Sequence, residues 1–329
     1  MSIFHPFVLR EMRQTFVLAL FALCAVAADS DPGLATNVVP VRADESGEDA
    51  FVPKHSGKVR FALCQTPSVF SKTETRIEFL FSWARRRLHG DEDVIVFPEL
   101  AFSAFSDLST AWRKAPAVWE AAAAFARERG AYLFVNHPHR PDGADGSLFN
   151  ETRVFAPGGT VAFVYRKRVL SRMDEKALFL PGPPATMAQL PFGRIGVLIC
   201  KDAFTPSEGS DRYASADVLL VQFAHPGVDN IRAPEARWFP PSGKAMSEVV
   251  ESRFGWARFG KPYLAVNKTG PDGNYVLSGG SFASDASGRI VKPLKRLPDV
   301  FFIDFPLGPD GAILPNGISS AAPAVECER

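Results

Sequence analysis

The chain has 329 residues, 46% of them hydrophobic and 22% charged, with a formal net charge of +1. That balance excludes a charge-rich disordered chain and a bundle of membrane helices, and it gives no basic surface for nucleic acid or an anionic bilayer. The run Arg85-Arg86-Arg87 reads as one solvated helix face rather than a binding patch.

The first residues stand apart. Arg10 and Arg13 precede the apolar run TFVLALFALCAVA, and Ala25 and Ala27 occupy the small-residue positions of a cleavage site. This is the layout of a secretory signal peptide over 1–27, cleaved or kept as an anchor, and the expected location is exported, periplasmic or secreted. The run is short of the roughly 20 residues that span a bilayer, so no transmembrane domain is expected after cleavage. Residues 28–57 lack periodicity and read as a flexible leader. Of the cysteines Cys24, Cys64, Cys200 and Cys327, three follow the signal, an odd number, so at least one is free or pairs with another chain. Cys64 lies inside an apolar run and reads as a core residue. No C-x-x-C or Cys/His cluster points to zinc.

Strand and helix patterns then alternate. KVRFALCQT (58–66) is a strand, and residues 72–88 place Ile77, Leu80, Phe81, Ala84 and Leu88 at helical spacing. DVIVFPEL (93–100) is a short strand. Residues 118–130 form an alanine-rich helix closed by Gly130. Residues 131–139 are a strand, and 148–170 read as two strands about a Gly-Gly turn. Strands are expected at 194–200, 215–224, 262–270, 278–291 and 299–305, with a helix over 247–260. The proline-rich stretch 226–247 reads as a long loop, a lid or pocket wall. The tail 306–329 reads as irregular. Apolar runs that are continuous rather than alternating mean sheets covered on both faces, hence a layered α/β domain over 58–305.

Three reactive side chains close apolar runs: Glu99 after DVIVFP, Lys167 after VAFVYR, and Cys200 after IGVLI. A thiol, a carboxylate and an ammonium on neighbouring strand ends suit covalent acyl chemistry. The thiolate attacks a carbonyl or nitrile carbon, the carboxylate carries the proton, and the cation stabilises the oxyanion. Each residue alone has a bland reading, as a solvated edge or core packing. Arg166 and Arg168 alternate with Lys167 and are expected on the opposite face. His137, His139 and His225 lie near strand ends, but the chemistry calls for no metal and no cofactor.

The segments VIVFPEL, YRKRVL, EKALFLPG and GRIGVLICKDAF, in that order, resemble the signatures of the nitrilase (carbon–nitrogen hydrolase) superfamily. The likeness continues through SADVLLVQFAHP, ESRFGWARFGKPYLAVNKTG and SGGSFASDASGRIV and spans about 58–305. It implies a four-layer αββα sandwich and a homodimer. It also implies a triad of Glu99 as general base and acid, Lys167 as oxyanion-stabilising cation and Cys200 as nucleophile. Glu175 matches the second glutamate, which holds the lysine, and the backbone N–H of Lys201 matches an oxyanion donor. Asp202 matches the usual acidic position. Lys201 departs from the aromatic residue that many members carry, and AFTPSEG departs from the amidase pattern, both at pocket positions. The Lys201 side chain either faces solvent, pairs with Asp202, or favours an anionic substrate.

The expected function is an exported thiol hydrolase of a small-molecule, non-peptide amide. The alternatives are an N-acyltransferase passing the acyl group to an amine, or a non-catalytic exported binding protein on the same scaffold.

Overall fold

A computed structural model describes residues 51–68, 73–141, 146–171, 175–184, 187–204, 213–226, 260–273, 275–293 and 297–320. The expected signal peptide, the 247–260 helix up to Gly260 and the 226–247 loop beyond Pro226 lie outside these residues. No helix among the described residues is long and apolar enough to cross a membrane.

Two sheets face each other. The first has seven strands. Its centre is β1 (Lys58–Gln65), β2 (Val94–Val96) and β3 (Tyr132–His139), which run parallel. β4 (Phe149–Phe155) and β5 (Val161–Arg166) extend one side as an antiparallel hairpin. The second sheet has six strands, with β6 (Ala188–Leu190), β7 (Gly193–Ile199), β8 (Val218–Phe223) and β9 (Tyr263–Asn267) consecutive in it. β10 (Thr269–Asp272) and β11 (Tyr275–Ser278) form a separate hairpin. β12 (Phe282–Ser284) and β13 (Ile290–Pro293) complete the second sheet, and β14 (Asp299–Pro306) returns to pair with β1.

Strand parity sorts the core. Val59, Phe61, Leu63, Val94, Val96 and Phe134 face Ile195, Val197, Ile199, Leu220, Leu264 and Val266 between the sheets. The intervening residues Ala62, Cys64, Ile95 and Val135 turn outward. They meet Leu80, Phe81, Ala84, Val118 and Phe125 of the helices α1 (Thr73–Arg85) and α3 (Ala115–Arg129). A single turn, α2 (Leu108–Ala111), precedes α3. Cys64 is therefore a core residue, and burial pushes its thiol far up. On the second sheet, Leu198, Leu219, Val221, Tyr263 and Ala265 form the outward apolar face.

Local chemistry sets the ends of elements. Pro116 sits in the first turn of α3, where a missing N–H costs nothing. Gly130 closes the helix in the left-handed conformation, φ 55°. Its N–H reaches the Arg127 carbonyl and the Ala131 N–H reaches Ala126, a Schellman arrangement. In the β4–β5 hairpin only Gly159 of the Gly-Gly pair takes a positive φ, 84°. Pro98 has no N–H, which stops β2 after three residues and frees the chain to turn at Glu99.

The sequence reading differs from the structure in several places; the 262–270 strand, for one, ends at Asn267, and Thr269–Asp272 joins the separate hairpin. The 278–291 strand is two strands, because Asp285 accepts from Ser287 and Arg289 and folds the chain back. The end of the leader is held. Phe51 packs edge-on to Tyr132 and against Phe192, and Lys54 donates to the carbonyls of Glu92 and Arg129. The start of the tail is also built in. Ile313 and Ile318 are buried between the sheets, and β15 (Ser319–Ser320) pairs with β14. Two isolated isoleucines among Gly and Pro carry no period, so composition alone hid their burial.

One close approach bears on the site. The Gly182 N–H donates to the Lys167 carbonyl, and a Cβ at Gly182 would come within 2.3 Å of the Arg166 carbonyl oxygen. Gly182→Ala should cost about 1–3 kcal/mol in urea unfolding and reduce turnover by shifting the backbone of Lys167. Wild-type stability and activity in that variant would contradict this placement.

Candidate active site

Parity also explains why polar side chains enter the space between the sheets. Asn136, Asn150, Thr152 and Gln222 are fully buried and occupy the same strand faces as the core residues two positions away. They form the polar end of the sandwich, at the carboxyl ends of β2, β3, β7 and β8. There the chain carries Glu99 three residues past β2, Lys167 one past β5 and Cys200 one past β7. Ligands of open α/β sheets bind at such ends.

Lys167, Glu99 and Glu175 are buried together. The Lys167 ammonium donates to Glu99 Oε1 at 2.7 Å and to Glu175 Oε1 at 2.7 Å. Asn150 Nδ2 donates to the same two oxygens, each at 2.9 Å. The outer oxygens are held by backbone: Ala224 N–H on Glu99 Oε2 at 2.8 Å and Ser171 N–H on Glu175 Oε2 at 2.6 Å. Burial works against a charge on Lys167, but Glu175 and Glu99 outweigh it and hold the ammonium well above its ordinary range. Burial pushes the Glu99 carboxyl up, Lys167 pulls it down, and the Glu175 charge raises it again.

Cys200 opens a tight turn, Cys200–Phe204, with φ 42°, a left-handed conformation that non-glycine residues seldom adopt. Unlike the cluster it faces, the residue is partly exposed. Burial of its surroundings pushes the thiol well above its usual range, and the Glu99 carboxylate adds to this by charge and by hydrogen bonding, against Lys167. The resting thiol is thus held neutral beside Glu99.

Asp202 holds this turn. Its Oδ2 accepts from the Ile199 N–H at 3.0 Å and the Tyr165 hydroxyl at 2.8 Å, and its Oδ1 from Val169 N–H at 2.8 Å and Arg168 N–H at 3.2 Å. It therefore ties the end of β7 to the chain just after Lys167. Burial pushes this acid up to about 6, against Lys167 and its own donors. Lys201, partly exposed, follows Cys200 in the same turn.

The structure thus brings together Glu99, Lys167, Glu175 and Cys200. It places the other sequence candidates elsewhere. Arg166 pairs with buried Glu151 at 2.9 Å, beside Arg153 and His139, on the face of β4 opposite Asn150. His137 and His139 lie edge-on to Trp119, and burial drives His137 down to about 3. His225 follows β8 near Phe204. The sequence reading missed Asn136, Asn150, Gln222 and Lys268. Gln222 spans the sheets, donating to the Phe97 carbonyl at 2.6 Å and accepting from Thr152 at 2.6 Å. Lys268 donates to the carbonyls of Leu100 and Ser103 and pairs with Asp272, bracing the loop after Glu99. The available signal was an amide or a charge interrupting each apolar strand at a core-facing position.

The model of the family described as carbon-nitrogen hydrolase matches residues 60–307. The chain belongs to that family, and it is a carbon–nitrogen hydrolase with the α/β sandwich of its members. A hydrolase of Schizosaccharomyces pombe is 24% identical over 270 residues, 78% of this chain and 79% of that one. An omega-amidase of Danio rerio is 26% identical over 193 residues, 55% of this chain and 64% of that one. Among solved structures, an amidase mutant from Nesterenkonia sp. AN1 superposes with a TM-score of 0.64 at 21% identity, covering 77% of this chain and 92% of that one. Its active-site cysteine carries the acetamide moiety of fluoroacetamide.

The Asp202 bonds carry a prediction. Asp202→Ala strands the Ile199, Arg168 and Val169 N–H groups and the Tyr165 hydroxyl, and should cost about 3 kcal/mol or more. Asp202→Asn, with one acceptor oxygen left, should recover part of that loss. Chemical denaturation of both variants reads it, and equal stability of Asp202→Ala and wild type would refute the clamp.

Proposed function

We propose that this hydrolase cleaves the C–N bond of a small linear amide through a thioester on Cys200, with Glu99, Lys167 and Glu175 as its catalytic group. The observation that carries the reading is the placement of a partly exposed, backbone-strained cysteine beside a buried carboxylate–ammonium–carboxylate cluster. The omega-amidase and amidase relatives favour an amide over a nitrile.

The hydrogen bonds support one proton path. Glu99 Oε1 already accepts two bonds, from Lys167 and Asn150, and Oε2 accepts one, from Ala224. A carboxylate oxygen offers two lone pairs, so Oε2 keeps the one that takes the thiol proton. Cys200 Sγ attacks the amide carbon as Glu99 removes its proton. Lys167, together with the Lys201 backbone N–H, stabilises the oxyanion. Glu99 returns the proton to nitrogen, the C–N bond breaks, and ammonia or an amine leaves. A water then gives a proton to Glu99 and adds to the thioester, releasing the acid and restoring the thiol.

Incubation with a panel of linear amides should give an acyl mass adduct on Cys200 and release of ammonia or amine, both lost in Cys200→Ala. Glu99→Gln should lower kcat/KM by about 10²–10⁴-fold. Turnover without any Cys200 adduct, or near-normal turnover in Glu99→Gln, would overturn the assignment. Export over a signal ending at Ala27 and assembly as a homodimer belong to the same proposal. They rest on Arg10, Arg13 and the apolar run after them, and on the family likeness. A purified mature chain should begin at Ala28, and an N-terminus at Met1 would contradict cleavage.

A further inference from the structure

Lys167 Nζ and Asn150 Nδ2 are two donors that alternate with the two acceptors Glu99 Oε1 and Glu175 Oε1. The four atoms close a diamond with edges of 2.7, 2.9, 2.9 and 2.7 Å. Two carboxylates sharing one site ordinarily force a proton onto one of them. One ammonium cancels only half of this negative charge. The remaining inner donor is the Asn150 amide, whose two N–H groups are both spent on the carboxylates. No inner lone pair is left for a shared proton.

The direction of that amide is fixed by its own acceptor. Asn150 Oδ1 cannot face a carboxylate, and it accepts from Asn136 Nδ2 at 2.7 Å. Asn136 can donate there because its Oδ1 accepts from the Leu100 N–H at 2.8 Å. Its Nδ2 also reaches the Glu151 carbonyl and Thr152 Oγ1, each at 3.2 Å. Leu100 follows Glu99 directly and holds φ 52°, the left-handed conformation that aims its N–H. The bonds therefore form a closed circuit: Glu99 backbone to Leu100, to Asn136, to Asn150, and back to the Glu99 carboxylate. Asn136 and Asn150 are fully buried, so neither bond is exposed to bulk solvent.

We propose that Asn150 is a positioning residue that holds the Glu99 and Glu175 carboxyl groups in place around Lys167, and that Asn136 sets the orientation of the Asn150 amide. The proposal rests on the reading of Glu99 as proton carrier. Among the described residues, the charged and titratable groups that face Glu99 are Lys167, Glu175 and Cys200, with Asp202 beyond Lys167 and Lys268 on the Leu100 carbonyl. Glu151, with His139, Arg153 and Arg166, lies on the other face of β4.

The test needs no substrate. Iodoacetamide alkylates an accessible thiol, and peptide mapping isolates Cys200 from buried Cys64. The alkylation rate of Cys200, followed from pH 4 to 8, should show an acid limb where Glu99 gains its proton. Burial places that limb above the ordinary carboxylate value of 4.5. In Asn150→Leu the ionised form loses a donor, so the limb should move up by about one pH unit or more. At neutral pH kcat should fall by about tenfold or more with KM little changed. Asn150→Ser, small and polar, retains at most one donor and should fall between Leu and wild type. It supplies the same comparison should the leucine variant not fold. Glu99→Gln separates the two claims. A limb that persists in Glu99→Gln removes Glu99 as the proton carrier. A limb lost in Glu99→Gln but unmoved in both folded Asn150 variants refutes the role of Asn150 alone.

Discussion

A buried ammonium between two carboxylates is the constraint around which this molecule is arranged. Removing such a group from water costs several kcal/mol, and only close partners repay it. Lys167 has both partners at 2.7 Å. Those partners impose demands in turn. Glu99 must be delivered by a strand that stops early, Glu175 by a turn held from Ser171, and the pair must be separated by a neutral donor. Pro98, left-handed Leu100 and Gly182 against the Arg166 carbonyl are local responses to these demands. Strain at Leu100 and at Cys200 lies where the site is built, as expected when surrounding structure over-determines a backbone conformation.

The two sheets supply that surrounding structure. Among the described residues, most of the space between them is hydrophobic, and polar side chains gather at the end that carries Glu99 and Lys167. Gln222 crosses from the second sheet to the Phe97 carbonyl of the first, and the Ala224 N–H crosses to Glu99. Asp202 crosses back to the chain after Lys167. Cys200 from one sheet and Glu99 from the other are registered by these hydrogen bonds between the sheets. A small error in sheet packing would therefore be felt directly in the distance between the Cys200 thiol and the Glu99 carboxylate.

Much of this was legible in the sequence because it follows short-range rules. Continuous apolar runs marked the covered sheets, Gly130 marked a helix end, and Glu99, Lys167 and Cys200 stood at the ends of such runs. Glu175 was reached only through the family likeness, since no local pattern distinguishes it from a surface glutamate. Asn136 and Asn150 showed only as single amides in strands, and their value lies in a circuit that joins β3, β4 and the loop after β2, which no local pattern reveals. Ile313, Ile318 and Phe51 were lost for the same reason, as isolated apolar residues in aperiodic chain whose burial depends on tertiary contact.

The charge on Lys167 is the most direct thing to measure. In protein carrying ¹⁵N at lysine Nζ, one resonance should disappear in Lys167→Met. The account predicts that this resonance stays that of an ammonium as the pH is raised past 10.5, the ordinary lysine value, because Glu175 and Glu99 outweigh burial. Titration of the same resonance at or below that value would show a lysine that its carboxylates do not hold charged, and would contradict the account at its root.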